Sequence, residues 1–197
     1  MCPVPAFPRI SRPPNLPGLM ETAPEPLTYS DDLILSILRS VKTIAMVGAT
    51  PNPARPAYLV LKYLLLQGFH VIPVNPGHAG KTLLGQTVYA KLADIPEPID
   101  MVEIFRRSEA AEGIVDEALK LYPLPRVIWM QLSVRNDAAA AKAEAAGLTV
   151  IKDRCPKIEY GRLCGEIAWF GVNSRQISSR PRQAPAQFQR MRIQAKD

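Results

Sequence analysis

Residues 43–50 read Thr-Ile-Ala-Met-Val-Gly-Ala-Thr, a short apolar run that ends at a glycine. Such a run, rich in apolar and β-branched residues, is typical of a strand buried in a parallel sheet. The next helical pattern begins only at Pro56, which places Gly48 in a turn between the strand and the helix. A strand, a glycine turn and a helix in this order begin a βαβ unit, whose turn and helix N-terminus can bind phosphate.

This turn departs from the fingerprint of dinucleotide-binding proteins. The fingerprint has glycines at the second and fifth positions after the first, where this chain has Thr50 and Pro53. It also has an acidic residue after the second strand, which binds the adenosine ribose. Here the second predicted strand, residues 70–75, ends in Asn75 and is followed by Pro76. The sequence therefore predicts a phosphate-bearing nucleotide ligand other than NAD.

Along the rest of the chain, apolar segments of strand length alternate with segments of helical period. This alternation predicts a doubly wound α/β fold with a mostly parallel, five-stranded sheet covered on both faces. Strands are predicted at residues 43–47, 70–75, 101–105, 127–131 and 149–152, and helices at 31–41, 56–67, 108–121 and 136–147. Ser30 and Ser108 are the predicted caps of the first and third helices. The connection over residues 77–98 is expected to be irregular.

Composition divides the chain into three parts. Residues 1–26 hold eight of the twenty prolines without an apolar period, and are predicted to be a disordered leader. Residues 27–160 are predicted to form one domain with a single core. Residues 161–197 are predicted to be an extension with a basic, flexible end. Met20 stays open as an alternative start of the protein.

The formal net charge of the 197-residue chain is +6. Most of this charge lies at the C-terminal end, because residues 173–197 contain six Lys or Arg and one acid. We interpret this end as a solvated tail in preference to an arm that binds nucleic acid or a membrane. Three cysteines without framework spacing, and no segment like a signal peptide or membrane span, predict a cytoplasmic protein.

Polar and cationic residues follow several of the predicted strands. Because parallel strands end at one edge of the sheet, these residues are expected to line one groove. The planar guanidinium of arginine pairs with phosphate oxygens, so Arg55 and Arg106 are candidate phosphate ligands. The other candidate ligand-binding residues at this edge are Gly48, Ala49, Thr50, Asn75, Pro76, Leu132, Ser133 and Asn136.

A set of segments supports a closer assignment. They are Ala45-Met-Val-Gly-Ala-Thr50, Arg55-Pro56-Ala-Tyr58, Val71-Ile-Pro-Val-Asn-Pro76, Phe105-Arg106-Arg107, Gln131-Leu132 and Asp153-Arg-Cys-Pro-Lys-Ile-Glu159. With these segments in this order, about residues 40–159 resemble the small, single-domain CoA-binding proteins. That family is related to the CoA-binding domain of the succinyl-CoA ligase α-subunit.

The resemblance implies a Rossmann-like fold that binds coenzyme A or an acyl-CoA, with the Gly48 turn on its phosphates. It places Asn75 and Pro76 beside the nucleotide, Phe105 and Arg106 beside the adenosine phosphates, and Leu132 and Ser133 near the pantetheine arm. The ligase subunit usually has a lysine two residues after the proline of its second-strand turn. This chain has His78 at that position.

The resemblance also bears on catalysis. The ligase α-subunit continues into a second domain with a phosphorylated catalytic histidine, for which this chain has no room. Neither His70 nor His78 has the sequence setting of a nucleophile or base, and no metal-site spacing is present. We therefore expect non-catalytic binding of a small-molecule CoA ligand, with no nucleic-acid or membrane partner. Whether a second copy or a partner enzyme also binds stays open.

Two alternatives to non-catalytic CoA binding stay open. The first is an enzyme that handles an acyl-CoA through Cys155, since the neighbouring Arg154 and Lys157 would lower the pKa of its thiol. The second is a regulator that binds NAD(P).

Overall fold

A computed structural model of the chain describes residues 27–164. The helices in this range are α1 (Asp31–Ser40), α2 (Pro56–Leu66), α3 (Ala111–Ala118), α4 (Asp137–Ala145) and α5 (Pro156–Cys164). The strands are β1 (Thr43–Val47), β2 (His70–Val74), β3 (Thr82–Leu83), β4 (Gln86–Thr87), β5 (Met101–Ile104), β6 (Val127–Met130) and β7 (Thr149–Ile151). The predicted leader, Met20 and the basic tail lie outside the described residues.

Strands β2, β1, β5, β6 and β7 form one sheet in that order, and every neighbouring pair is parallel. The predicted α/β fold with a doubly wound, five-stranded sheet is confirmed. The strand order reverses at β1, which pairs with β2 on one side and β5 on the other. Ligands of such sheets bind outside the carboxyl ends of the strands at this reversal. This reversal lies where Gly48 and Phe105 follow β1 and β5, which is where the sequence places the ligand groove.

Helices cover both faces of the sheet. On one face, Met46 and Trp129 pack in a cluster with apolar residues of α1 and α2 and with Cys155. On the other face, Val102 and Ile128 pack with α3 and α4. Because successive residues of a strand point to opposite faces, both sides of the parallel strands are apolar. No helix in residues 27–164 is long and apolar enough to cross a membrane.

The helix starts follow the local sequence closely. The Ser30 hydroxyl accepts a hydrogen bond from the Leu33 N–H (3.2 Å), as expected for the cap of α1. Pro56 occupies the first position of α2, and Gly68 takes the left-handed conformation just beyond its end, with φ at +88°. These boundaries fix where the turn after β1 meets the helix N-terminus.

The predicted start of α3 is wrong. Residues Ser108–Ala110 form a 3₁₀ turn, and the α-helix begins at Ala111. Ser108 does not cap this helix, because its hydroxyl accepts a hydrogen bond from the Arg135 N–H (3.0 Å) instead. A serine that follows a strand can serve either role, and here it joins the loops after β5 and β6.

Helix α5 and the hairpin of β3 and β4 are absent from the predicted elements. The α5 segment has no clear apolar stripe, since its buried residues are Pro156, Glu159 and Gly161. The sequence signal for this helix was Pro156, since proline is favoured in the first turn of a helix. The antiparallel pair of β3 and β4 lies within the connection that was expected to be irregular.

Candidate functional site

Glycine is required at position 48 because the ends of β1 and β5 approach each other closely there. Its φ is +96°, and a Cβ built on it would overlap the Phe105 carbonyl oxygen and lie 2.9 Å from the Arg106 Cδ. Its N–H donates to the Val74 carbonyl (2.9 Å), which extends the sheet by one bond. The Gly48 N–H is therefore bonded within the protein, and the N–H groups that the turn can offer to a phosphate belong to the residues after Gly48. Gly48 shapes the turn.

The two residues after Gly48 have backbone N–H groups that are not used as donors. Within residues 27–164, the N–H groups of Ala49 and Thr50 donate no hydrogen bond, although Ala49 is buried. The Thr50 hydroxyl accepts from the Asn52 N–H (3.3 Å), which shapes the path toward α2. Arg55 precedes α2 in an extended conformation and makes no side-chain cap. The turn thus offers free N–H groups beside a helix N-terminus, an arrangement that suits an anion.

Asn75 connects the turns after β1 and β2. Its side-chain Nδ2 donates to the Ala49 carbonyl (2.7 Å), and its Oδ1 accepts from the Gly77 N–H (2.9 Å). Both ends of the amide bond the protein, so Asn75 supports the turn, and its predicted place beside the nucleotide stays a prediction. Pro76, by contrast, is exposed at the start of a 3₁₀ turn, Pro76–His78.

A shallow pocket lies against this turn. It is lined by Ala49, Pro51, His78, Lys81, Thr82, Leu83 and Val88. The Nδ1 atom of His78 is buried and has no hydrogen-bond partner among the described residues. The pocket is therefore mostly apolar, with an exposed cation, Lys81, and an unpaired imidazole nitrogen at its wall.

The loop after β6 has a constrained backbone. Ser133 is left-handed with φ at +64°, and its N–H donates to the Asp153 carboxylate (2.7 Å). Asp153 is itself left-handed with φ at +52°, and its N–H donates to the Val134 carbonyl (3.3 Å). The loops after β6 and β7 therefore hold each other, while the side chain of Leu132 remains 47% exposed.

Asn136 supports this region from inside the protein. Its Oδ1 caps α4 by accepting from the Ala139 N–H (2.8 Å), and its Nδ2 donates to the Ser108 carbonyl (3.0 Å). Asn136 therefore has a capping role, and its predicted contact with a ligand stays a prediction.

The cationic side chains at the edge remain available. Arg55, Arg106 and Arg107 are exposed, and none of them makes an ion pair within residues 27–164. Arg106 lies over the Gly48 turn, as its approach to the glycine shows. Phe105 is half-buried against the core. Arg106 thus lies at the turn that carries the free N–H groups, and Arg55 directly precedes α2.

A buried carboxyl lies on the sheet beneath this edge. Glu103 of β5 is fully buried, and burial raises its pKa to about 8. The Gln131 Nε2 donates to its Oε1 (3.2 Å), whereas its Oε2 has no partner among the described residues. The sequence signal was an acid in the middle of an apolar strand, which the prediction of the site did not use.

Cys155 neighbours this carboxyl. Its thiol is only 6% exposed, and burial raises its pKa, as does the negative charge of Glu103. The expectation that adjacent cations lower this pKa is wrong. Arg154 instead donates to the Leu27 carbonyl (2.6 Å), and Lys157 lies over the Tyr63 ring. Hydrogen bonds from the Ile158 and Lys157 N–H groups and from Gln131 act in the opposite direction but do not outweigh burial.

Comparison with known proteins adds independent information. A family model described as CoA binding domain matches residues 42–161. The Uncharacterized protein YneT of Bacillus subtilis (strain 168) is 37% identical over 127 residues, which cover 64% of this chain and 91% of that protein.

Two solved structures are also similar. A hypothetical protein from Pyrococcus horikoshii OT3 is 39% identical with a TM-score of 0.66, covering 75% of this chain and 100% of that one. Cell-free ID.343 from Thermus thermophilus is 37% identical with a TM-score of 0.65, covering 68% of this chain and 99% of that one. Both share the described fold over almost their whole length.

Proposed function

The chain belongs to this CoA-binding domain family, and on that premise we propose that it binds coenzyme A or an acyl-CoA non-catalytically at the carboxyl edge of the sheet. The observation that carries the proposal is the turn after β1. There, the N–H groups of Ala49 and Thr50 are free in the segment that leads to α2, with the unpaired Arg106 at the turn and the unpaired Arg55 directly before the helix. A diphosphate carries enough negative charge and enough acceptor oxygens to use all of these groups.

The size of the ligand determines how it would lie. The pocket beside Ala49 is shallow and holds only a part of CoA, so that the rest extends along the edge. We assign the pocket beside Ala49 and His78 to the nucleotide end. The pantetheine arm then runs past Phe105 toward the exposed Leu132, as the family resemblance implies.

Several features favour binding over catalysis. His70 lies at the amino end of β2, away from the groove, and pairs with Glu97 on the surface (3.0 Å). His78 has no carboxylate or nucleophile bonded to it within residues 27–164. The thiol of Cys155 is buried with a raised pKa, which disfavours its reactive thiolate form at neutral pH. None of these groups has the bonded partners of a catalytic nucleophile.

The arginines provide the test of this site. Arg106→Ala is expected to weaken CoA binding about tenfold to a hundredfold, because a charge-assisted contact to phosphate contributes roughly 1.5–3 kcal/mol. Arg55→Ala is expected to have a similar effect. Arg107→Ala is the matched control, since adjacent residues of an extended segment point in opposite directions. Isothermal calorimetry with CoA measures all three.

The comparison of the two neighbouring variants decides the outcome. A larger loss of affinity for Arg107→Ala than for Arg106→Ala would reverse the assignment at the end of β5. Unchanged affinity in both Arg55→Ala and Arg106→Ala would move the phosphates away from the Gly48 turn.

A further inference from the structure

A short segment before α1, residues 27–30, is held against the residues that follow β7, and we call it the strap. The Tyr29 hydroxyl accepts a hydrogen bond from the Lys152 N–H (2.9 Å). The Leu27 carbonyl accepts from the Arg154 Nη2 (2.6 Å), and the Arg154 guanidinium lies over the Tyr29 ring, 5.6 Å from its centroid. The strap is therefore attached to the chain where it leaves β7 at the carboxyl edge of the sheet.

Arg154 connects the strap with its own neighbours at this edge. Its Nη1 donates to the Asp153 carbonyl (3.1 Å), and its Nε lies 3.8 Å from the Oε1 of Glu159 in α5. Its backbone is held from the core, because the Trp129 indole N–H donates to the Arg154 carbonyl (2.7 Å). The Arg154 side chain therefore contacts the strap, Asp153 and α5 at the same time.

Asp153 continues this connection to the loop after β6. Its carboxylate accepts from the Ser133 N–H (2.7 Å), and its N–H donates to the Val134 carbonyl (3.3 Å). Asp153 and Ser133 both have left-handed backbones, with φ at +52° and +64°. Residues other than glycine keep this strained conformation only where neighbouring contacts hold it, and they are frequent at ligand-binding sites. The shape of the loop therefore depends on the bond between Asp153 and Ser133.

We propose that Tyr29 and Arg154 are positioning residues for the ligand. They hold the bond between Asp153 and Ser133, and with it the loop that the pantetheine arm passes. The inference rests on the proposed function, which assigns the arm to this loop. It adds to the family assignment, because the strap lies before residues 42–161, the part that the family model matches.

Two ligands separate positioning of the loop from general damage to the fold. Adenosine 3′,5′-bisphosphate carries the nucleotide part of CoA without the pantetheine arm. Arg154→Ala and Tyr29→Ala, each in the full-length chain, are expected to weaken CoA binding about threefold to tenfold, the usual effect of losing a hydrogen bond. Binding of the bisphosphate is expected to stay the same, since we assign the nucleotide to the pocket beside Ala49. Calorimetry measures both ligands.

Arg126→Ala is the matched control for Arg154→Ala. Arg126 also bonds a backbone carbonyl and a carboxylate, those of Ser40 (2.7 Å) and Asp100 (2.9 Å). It directly precedes β6, however, and so lies at the opposite edge of the sheet. Its loss is expected to lower the free energy of unfolding without changing the affinity for either ligand.

Variants of Asp153 test the bond to the loop itself. Asp153→Asn keeps an oxygen acceptor for the Ser133 N–H and tolerates the left-handed backbone, so its CoA affinity is expected to stay within about twofold of the natural chain. Asp153→Ala removes the acceptor and is expected to weaken CoA binding as Arg154→Ala does. The double variant is expected to lose no more than either single variant, because both act through the same bond.

Amide hydrogen exchange follows the loop without any ligand. In Arg154→Ala, the Ser133 N–H is expected to exchange at least about threefold faster than in the natural chain. The Gly48 N–H, which is bonded to the Val74 carbonyl at the same edge, is expected to keep its rate and reports any general loosening.

The outcomes separate this inference from the proposed function. If the natural chain binds CoA but Arg154→Ala binds it equally well, or loses both ligands to the same extent, the positioning role is refuted and the binding function stands. Unchanged exchange at Ser133 also refutes the positioning role. If the natural chain binds no CoA, the proposed function is refuted, and the exchange measurement still decides whether the strap holds the loop.

Discussion

Replacing Gly48 by alanine is expected to lower the free energy of unfolding by at least about 2 kcal/mol more than the same replacement at Gly68. Both glycines are left-handed, with φ at +96° and +88°. An added Cβ at Gly48 overlaps the Phe105 carbonyl, which belongs to the end of a central strand and cannot turn aside. An added Cβ at Gly68 meets nothing within 4 Å. The difference between the variants thus isolates the contact of β1 with β5.

Denaturant unfolding of both variants measures this difference. Equal destabilisation would show that the conformation of Gly48, and not its contact with Phe105, sets the requirement for glycine. A stable Gly48→Ala protein that still binds CoA would contradict the described turn.

Glu103→Gln is expected to stabilise the protein at pH 8 relative to the natural chain, and to do so much less at pH 5. Burial raises the pKa of Glu103 from its usual value near 4.5 to about 8. In the folded state the carboxyl stays neutral up to about pH 8, whereas in the unfolded chain it ionises above about pH 4.5. The native state therefore binds more protons in this window, and its stability falls as the pH rises.

The size of this effect follows from the same linkage. Each unit of pKa difference corresponds to about 1.4 kcal/mol, so the variant is expected to gain roughly 3 kcal/mol on the natural chain between pH 5 and pH 8. Glutamine has no ionisation, and its amide can still bond Gln131. Chemical unfolding of both proteins at several pH values measures the gain. A constant difference across the window would show that Glu103 ionises at its usual pH.

Most strands and helices could be predicted from the sequence because their local signals agree with the fold. Ser30, Pro56 and Gly68 mark helix ends by conformations that depend on their own chemistry. Ser108 shows where this fails. A serine at this position can cap the following helix or bond another loop, and only the packed sheet decides that its hydroxyl bonds the Arg135 N–H.

The sequence predicts which edge of the sheet carries the candidate site, but it does not predict which atoms are free to contact a ligand. A parallel sheet places Gly48, Asn75 and Leu132 at one edge, whatever their side chains do. The distinction between a ligand contact and a supporting bond depends on neighbours distant in the sequence. The amides of Asn75 and Asn136 bond the carbonyls of Ala49 and Ser108, and no local pattern reveals these bonds.

The environment of Glu103 could not be predicted for the same reason. An acid inside an apolar strand is visible at Glu103, but its burial and its bond to Gln131 arise from the pairing of β5 with β6. The cations beside Cys155 in the sequence led to the wrong prediction of a lowered thiol pKa, because Arg154 and Lys157 contact other partners.

Calorimetric titration of the full-length protein with CoA and with NAD, under identical conditions, tests the central claim most directly. Because the turn lacks the second and third glycines and the acidic residue of the dinucleotide fingerprint, we expect CoA to bind with one molecule per chain and NAD to give no binding heat. Equal affinity for the two nucleotides, or binding of NAD alone, would contradict the assignment of this edge to coenzyme A.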